Sequence, residues 1–486
     1  MNSLTQKQAG LIEGLLLVAV LMLAYFMSSI PHWHYQYPLH IDEWWRYGDA
    51  QSLIETESIT HPNPFEAGET LSPDIEAGFH LFLGELKLIT GVSWLSLFRY
   101  LPGIILAMLA FQAYVFGKRK GLGLGAASLA TLIPTSVRFL GPAFLLPVSL
   151  GLVFIPLTLF VLHRLMSGLR GPIILFLILL ALLFIHPPTF AVVSAITVIH
   201  LVLFLLPGKE PQSRARQSVL ALVFIVPIYG LMFFWAPSFI DFVVNEAMQP
   251  ELHLQLPPIQ NAVFKFGYIP ATLFALGIGI LARQGKRDNW AIVLSAVGLL
   301  AFLLLYPRFY IGPDIIYERG WLYFFVLMAL LGGVALKEIW GWAGRGNMPS
   351  LATVSSYAVI GILVASAFAM SLRSHLTEPY YHVIDDINYQ DFLWVREYTP
   401  PQYQVGVLDT AKAWAFAAVT GKFAYTAEVS PNFHAKGRSA MEFLENGARD
   451  TSWLVERGIN IVYSSEEIDN NQLIKVNNNL YLLARD

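Results

Sequence analysis

The sequence predicts a mainly α-helical, polytopic membrane protein of about 11 transmembrane helices with a small extracytoplasmic α/β domain at its C-terminal end. Composition is the first reason: 55% of the 486 residues are hydrophobic and only 13% are charged, whereas about 25% of a soluble protein is charged. Long apolar runs through the first three quarters of the chain are the second reason. The third reason is the last quarter of the chain, in which polar helices alternate with short strand-like runs.

Eleven apolar runs are long enough to be read as spans of a hydrocarbon core about 30 Å thick. They cover approximately residues 10–30, 96–117, 121–135, 144–163, 172–186, 188–206, 217–235, 266–282, 290–306, 319–336 and 351–371. The run 78–89 is short and contains Glu85 and Lys87, so we expect a helix within the first outer loop, about residues 31–95. The two predicted domains are therefore residues 1–371 and 372–486.

The basic residues predict the orientation. With these spans, one side of the membrane carries 14 Lys and Arg residues, and the opposite loops carry seven before the tail begins. The positive-inside rule then predicts a cytoplasmic N-terminus and an extracytoplasmic tail. We expect a multi-pass protein of a prokaryotic plasma membrane, in contact with membrane lipids and not with nucleic acid. The chain has no cysteine, which excludes disulfides, thiolate metal sites and cysteine nucleophiles.

The tail is predicted to be a compact α/β domain. Strand-like runs at 404–408, 459–464 and 480–483 alternate with polar helices from Asp385 onward. The tail contains neither a glycine-rich phosphate loop nor a G-x-S-x-G elbow. Its predicted role is docking or guiding an acceptor.

The candidate catalytic residues are Asp42 and Glu43, about ten residues beyond the first span. Carboxylates at a membrane surface are read first as functional, and Asp42 could take a proton from an incoming hydroxyl. The alternative for Asp42 is a structural salt bridge. Glu43 would orient Asp42 or the acceptor. The segment that follows is predicted to be an interfacial helix, with Trp44 and Trp45 anchoring it at headgroup depth.

Cationic and imidazole groups of the outer loops are the other candidates. Arg138, Arg308 and Arg319 could bind a lipid-linked phosphate, because a guanidinium adds a bidentate fork to helix termini that favour anions. The alternative for each arginine is snorkelling to ordinary lipid headgroups. His186, between two spans, is as readily a structural residue as a ligand contact. The predicted substrate pocket consists of His40, His186, Tyr317 and Glu318.

Together these features resemble the GT-C membrane glycosyltransferases. The Asp42-Glu43 pair resembles the first-loop acid motif of protein O-mannosyltransferases and aminoarabinose transferases. The segment WVREYTP at 394–400 is similar to the start of the soluble domain of oligosaccharyltransferase catalytic subunits. The resemblance implies sugar transfer from a polyprenyl-phosphate-linked donor to a glycan, lipid or protein acceptor on the extracytoplasmic face. Asp42 would be the general base, and Arg319 with Arg138 or Arg308 would neutralise the departing phosphate.

The sequence departs from the oligosaccharyltransferase pattern in two places. Residues 138–144 read RFLGPAF where that family carries a D-x-D/E metal motif, and the tail lacks a W-W-D motif. A Mg²⁺ or Mn²⁺ site would draw oxygen ligands from several loops, and only one loop offers them. We therefore expect no metal cofactor. Two other classes stay open: a lipid or solute transporter or flippase, for which internal repeats are typical, and a non-catalytic scaffold with a binding tail.

Overall fold

The structure is a computed structural model, and it describes residues 3–66, 68–71, 76–135, 139–164, 169–206, 212–235, 266–310, 312–343, 349–377, 382–427 and 433–484. Two compact units make up the chain. Unit 1 comprises Met1–Trp33 and Tyr100–Pro379, and unit 2 comprises His34–Arg99 and Tyr380–Asp486. The first outer loop therefore belongs to the same unit as the tail.

Unit 1 is built of helices, and the mainly α-helical, polytopic class is confirmed. Its helices are α1 (Ser3–Ser29), α4 (Trp94–Lys120, which begins in unit 2), α5 (Gly123–Ala130), α6 (Pro147–Arg164), α7 (Arg170–Ile185), α8 (Pro187–Leu205), α9 (Gln212–Trp235), α10 (Tyr268–Gln284), α11 (Arg287–Phe309), α12 (Asp314–Ala343) and α13 (Pro349–Thr377). Within the described ranges, eight of them are long and apolar enough to cross a membrane: α1, α4, α6, α8, α9, α11, α12 and α13. The shorter α7 and α10 have 16 and 17 residues.

The predicted span at 121–135 differs from the structure. Only eight residues, Gly123–Ala130, are helical, which corresponds to a length of about 12 Å. The helix starts where the Leu122 N–H donates to the Gly333 carbonyl at 2.8 Å, and the buried chain continues to Leu132, whose carbonyl accepts from Ser371 Oγ at 3.3 Å. Non-helical backbone at this depth is tolerated because it is packed inside protein.

Unit 2 contains the second group of helices and the strands. The first outer loop supplies α2 (Ile41–Thr56), α3 (Ala77–Thr90) and the short antiparallel pair β1 (His61–Pro62) and β2 (Thr70–Leu71). The tail supplies α14 (Asp386–Tyr398), β3 (Val405–Val407), α15 (Thr410–Thr420), β4 (Phe423–Ala424), α16 (Phe433–Glu445), α17 (Thr451–Glu456), β5 (Ile461–Tyr463), β6 (Leu473–Lys475) and β7 (Leu480–Leu483). The 14-residue α3 confirms the loop helix predicted at 78–89.

The tail is an α/β domain around a five-stranded sheet. The strand order is β4-β3-β5-β7-β6; β4 and β5 run parallel to β3, and β7 is antiparallel to β5 and β6. Apolar strand residues such as Val407 and Val462 pack with Phe443 of α16 in one buried cluster. Phe392 and Phe416 from α14 and α15 meet edge to face, with ring centroids 5.4 Å apart. The three strand-like runs of the sequence correspond to β3, β5 and β7, whereas β4 and β6 were not predicted.

The first outer loop and the tail are held together by aromatic contacts and hydrogen bonds. Trp414 of α15 packs against Trp45 and Phe65 of the loop, with ring centroids 6.0 and 4.7 Å apart. The Tyr37 hydroxyl donates to Asp386 at 2.7 Å. The loop and the tail therefore form one folded body.

Candidate active site

The two candidate acids open helix α2, and His40 caps it. The Asp42 N–H donates to His40 Nδ1 at 3.1 Å. The Glu43 carboxylate reaches back and accepts from the N–H groups of Leu39 and His40 at 2.6 and 3.3 Å. This is a capping box with histidine at the position that serine or threonine usually takes. The sequence H-x-x-E therefore fixes where the two carboxylates lie.

Asp42 and Glu43 differ in exposure although they are neighbours. Glu43 is fully buried, and its carboxylate is occupied by backbone donors. The Asp42 side chain is 35% exposed, and its Oδ1 lies 3.5 Å from His40 Nδ1. Because that Nδ1 accepts the Asp42 backbone N–H, the ring proton is assigned to Nε2, and Nδ1 does not donate to the Asp42 carboxylate. The geometry suits Asp42 to contact a substrate and Glu43 to hold the turn.

A buried ionic cluster fastens α2 to α3 behind these acids. Arg46 forms a salt bridge with Glu76 and donates to His80 Nε2 at 3.3 Å, and Asp49 Oδ2 lies 3.7 Å from the same nitrogen. Burial, together with the positive charges of Arg46 and His61, holds the pKa of His80 well below its usual value. A neutral Nε2 accepts from Arg46, which matches the observed geometry. The cluster therefore holds α2, and with it Asp42, in place.

Sequence reasoning missed this cluster as a unit. One signal was available: His80 is the only ionisable residue in the first two turns of α3. The pairing itself depends on how α2 and α3 pack, which no local pattern shows.

The expected aromatic anchors are not alike. Trp44 is fully buried and stacks on Tyr47 with ring centroids 5.7 Å apart, so the prediction that it sits at headgroup depth is wrong. Its indole belongs to the core of unit 2. Trp45 is half-buried and carries the Arg46 guanidinium 4.1 Å above its ring.

The predicted phosphate-binding arginines belong to unit 1. Helix α12 begins at Asp314, so Arg319 lies in its second turn rather than opening it, and the helix dipole acts on it only weakly. Arg319 is half-buried, and no carboxylate in the described part of the chain lies within ion-pair distance of its guanidinium. Arg308 is exposed in the last turn of α11. Arg138 lies outside the described residues.

The remaining pocket candidates of unit 1 have structural contacts. His186 caps α8: its Nδ1 accepts from the Thr189 N–H at 3.3 Å and lies 2.7 Å from the Thr189 hydroxyl, which donates to the Tyr323 hydroxyl at 3.0 Å. Tyr323 follows Arg319 by four residues, so both lie on one face of α12. Tyr317 is fully buried, and its ring stacks on Tyr306 at 4.8 Å.

The structure thus brings the predicted residues together in two groups. His40, Asp42 and Glu43 share the first turn of α2 in unit 2. In unit 1, Glu318 is half-buried beside Tyr317 and Arg319 on α12, and His186 reaches the same helix through Tyr323. Among the described residues, no group of three His, Asp or Glu side chains is arranged to hold a metal ion.

Comparison with known proteins gives a likeness in structure only. No family model matches the chain, and no curated protein matches it. The oligosaccharyltransferase of Archaeoglobus fulgidus aligns with 92% of this chain and 69% of its own, with a TM-score of 0.59 and 11% identity. ArnT from Cupriavidus metallidurans, solved with undecaprenyl phosphate bound, aligns over 96% and 97% with a TM-score of 0.56 and 12% identity.

A third similar structure is the arabinofuranosyltransferase AftD from mycobacteria. It aligns with 95% of this chain but only 37% of its own length, with a TM-score of 0.60 and 13% identity. All three structures are glycosyltransferases of the GT-C class, so the resemblance to the GT-C fold is confirmed. At such low identity the likeness concerns the fold, and the activity has to be argued from the site.

Proposed function

We propose that the protein is a membrane glycosyltransferase that moves a sugar from a polyprenyl-phosphate-linked donor to an acceptor on the extracytoplasmic face. The fold supports transfer, since it is shared with structures named for sugar transfer. Two of the similar proteins have structures with polyprenyl phosphates, dolichol-phosphate in one and undecaprenyl phosphate in the other. The observation that carries the proposal is Asp42, a half-exposed carboxylate in a rigid helical turn of the unit that also contains the tail.

In the proposed reaction Asp42 is the general base. The acceptor hydroxyl attacks the anomeric carbon while Asp42 takes its proton, and the bond from that carbon to the phosphate oxygen breaks. The polyprenyl phosphate leaves with the bonding electron pair, and Asp42 later returns the proton to water. General-base assistance of this kind contributes about 10² to 10⁴ in rate. Glu43 contributes by holding Asp42, because its carboxylate is committed to the backbone of Leu39 and His40.

The donor phosphate requires a cation, and Arg319 is our candidate within unit 1. Its half-buried guanidinium has no ion-pair partner among the described side chains, whereas Arg214 of the same unit bonds Asp288 at 3.2 Å. A planar fork suits two phosphate oxygens, and the charge stabilises the leaving group as negative charge develops. Glycans, lipids and proteins stay equal candidates for the acceptor.

A reconstituted assay tests the activity. The purified protein in lipid vesicles would receive undecaprenyl-phosphate-linked sugars carrying a label, together with glycan, lipid and peptide acceptors. We expect release of undecaprenyl phosphate together with a labelled acceptor. Movement of intact donor between leaflets would indicate a transporter or flippase instead, and binding without either event would indicate a scaffold.

Orientation is tested separately with single cysteines, since the chain has no native thiol. Glu55 of α2 and Arg119 at the end of α4 are both exposed. An impermeant maleimide should label Glu55→Cys but not Arg119→Cys in intact cells. Labelling of position 119 from outside would contradict the proposed orientation.

A further inference from the structure

Helices α6 and α8 of unit 1 face each other in a constant register. A Cβ added to Gly151 of α6 would lie 2.6 Å from the hydroxyl of Thr189 on α8, a separation of 38 in sequence (189 − 151). Twelve residues farther along, the His163 and His200 rings meet edge to face at 5.5 Å, a separation of 37 (200 − 163). The two helices therefore run parallel along their length. Between these contacts, the register places Thr158 of α6 opposite residues 195–196.

Helices α6 and α8 carry five buried polar side chains, and we call them the polar seam. In the part of the chain that the structure describes, none of the hydroxyl oxygens has a protein hydrogen-bond partner, and neither has the Nε2 of His163 or of His200. The nearest charged group to His163 is Asp288, whose Oδ2 lies 3.4 Å from Nδ1. The residues of the polar seam are Thr158, His163, Ser194, Thr197 and His200.

Buried polar groups without partners are rare, because each one loses its hydrogen bonds to water when the protein folds. Serine and threonine in helices commonly bond the carbonyl four residues earlier. His200 shows this with its other nitrogen, which lies 2.8 Å from the Ile196 carbonyl. The end of the same contact at Thr189 is also satisfied by protein, through His186 and Tyr323. The hydroxyls and the Nε2 atoms of the polar seam therefore require partners other than the described protein groups.

We propose that the polar seam binds a file of water molecules that extends from Asp288 into the interior of unit 1. Water fits because the groups are neutral hydroxyls and imidazoles that both donate and accept, and because a bound water needs two to four polar partners. The close approach at Gly151 and Thr189 leaves no room there for a larger ligand. The described residues also offer no metal-binding group at this place.

The file has one open end and one closed end. It meets the charged cluster of Asp288, Lys120 and Arg214, and it stops where the Thr189 hydroxyl is bonded to Tyr323. It hydrates the core without joining the two faces of the membrane. This site is independent of the proposed sugar transfer, so each can fail without the other.

Hydroxyl-radical footprinting with X-rays tests the water directly, since bound water forms radicals beside the side chains that it touches. The full protein in nanodiscs should show modification of His163 and His200 several-fold faster than of His375. His375 is the matched control because it is equally buried and its Nδ1 is bonded to the Ser371 carbonyl at 2.9 Å. Equal, slow modification of all three histidines would overturn the proposal.

Two near-isosteric substitutions give an independent readout. If Thr158 and Thr197 bond water, then Thr158→Val and Thr197→Val each strand a water molecule and lower the Tm by several degrees, and Thr197→Val slows the modification of His200. Thr158→Ser keeps the hydroxyl and should retain the native Tm more closely. If the hydroxyls are dry, their removal relieves an unsatisfied group. A Tm that stays equal or rises in both valine variants would therefore overturn the proposal.

Discussion

Asp42 in unit 2 and Asp288 in unit 1 each occupy the second position of a helix, yet their surroundings differ. Asp288 opens α11, and its oxygens lie 3.2 Å from Arg214, 3.4 Å from His163 and 3.8 Å from Lys120. Asp42 lies in the first turn of α2 beside the imidazole of His40, and its side chain is 35% exposed, against 18% for Asp288.

The contrast shows that an acidic residue at the start of a helix is not by itself evidence of a catalytic site. At Asp288 three basic groups of neighbouring helices use the carboxylate, so it joins α4, α6, α9 and α11. At Asp42 the structural work is done by its neighbour Glu43, and the Asp42 carboxylate faces partly outward. We infer that unit 1 uses its helix-start acid to hold helices together and that unit 2 keeps one for chemistry.

The same contrast applies to the guanidinium groups of Arg319 and Arg214. Arg319→Ala should lower kcat/KM for the donor about 10- to 100-fold, because charged hydrogen bonds contribute about 1.5–3 kcal/mol. Arg319→Lys should restore part of it, since lysine keeps the charge without the fork. Thermal unfolding is the control. Wild-type donor kinetics in the alanine variant would remove Arg319 from the site.

Replacing Asp288, whose carboxylate holds helices of unit 1 together, should lower the stability of the protein without lowering the rate of sugar transfer. Asp288→Asn removes the negative charge that Lys120 and Arg214 contact, and we expect the free energy of unfolding to fall by about 2 kcal/mol, between the values for buried and exposed pairs. Transfer per folded molecule should stay near wild type. A variant of normal stability that no longer transfers sugar would reverse the assignment of the two acids.

Glu43 should behave as a cap. Glu43→Ala removes the acceptor for the N–H groups of Leu39 and His40, and loss of such a cap costs about 1 kcal/mol. Glu43→Gln keeps one acceptor oxygen and should cost less. Chemical denaturation of the two variants measures the difference. If glutamine is as harmful as alanine to transfer but harmless to stability, then Glu43 has a chemical role.

The His80 cluster predicts that the stability of the protein depends on pH. Because the pKa of His80 is lowered in the folded protein, protons bind the unfolded chain first as the pH falls below about 6.5. The stabilising contribution of neutral His80 to the free energy of unfolding is therefore fully present above that pH. Below that pH it is lost, at up to about 1.4 kcal/mol per pH unit. Thermal unfolding between pH 7.5 and 5 should show this slope, and His80→Gln should flatten it. An unchanged slope would place the titrating group elsewhere.

Much of the fold was predictable because apolar run length and strand-like runs are local signals. They indicated ten of the eleven helical runs and three strands of the tail. The run 121–135 was misread, because hydropathy does not show that Gly121 packs directly on Gly333 and that helix α5 ends early. The pairing of the first loop with the tail also escaped prediction. It depends on contacts such as Tyr37 with Asp386, which are 349 residues apart.

The sequence predicted which residues belong to the candidate site, but it did not predict which of the two acids is buried and which is exposed. The acid pair and its helix followed from the sequence, whereas the cap position of His40 did not, because His40 was predicted to line the substrate pocket. Which acid is buried depends on the direction in which α2 presents its first turn, and that direction is fixed by Arg46, Glu76 and His80. The position of Arg319 relative to the helix start depends on where α12 begins, and helix boundaries are the least reliable part of a sequence-based prediction.

The most direct test of the central claim is single-turnover sugar transfer by Asp42→Asn at saturating donor, beside Glu43→Gln. Asparagine keeps the shape and can hydrogen-bond the acceptor, yet it cannot take the proton, so transfer should fall about 10²- to 10⁴-fold. Donor binding and Tm should stay unchanged, Glu43→Gln should lose far less, and wild-type transfer should survive chelation of divalent cations. Near-normal turnover by Asp42→Asn, or loss of wild-type activity in chelator, would contradict the account.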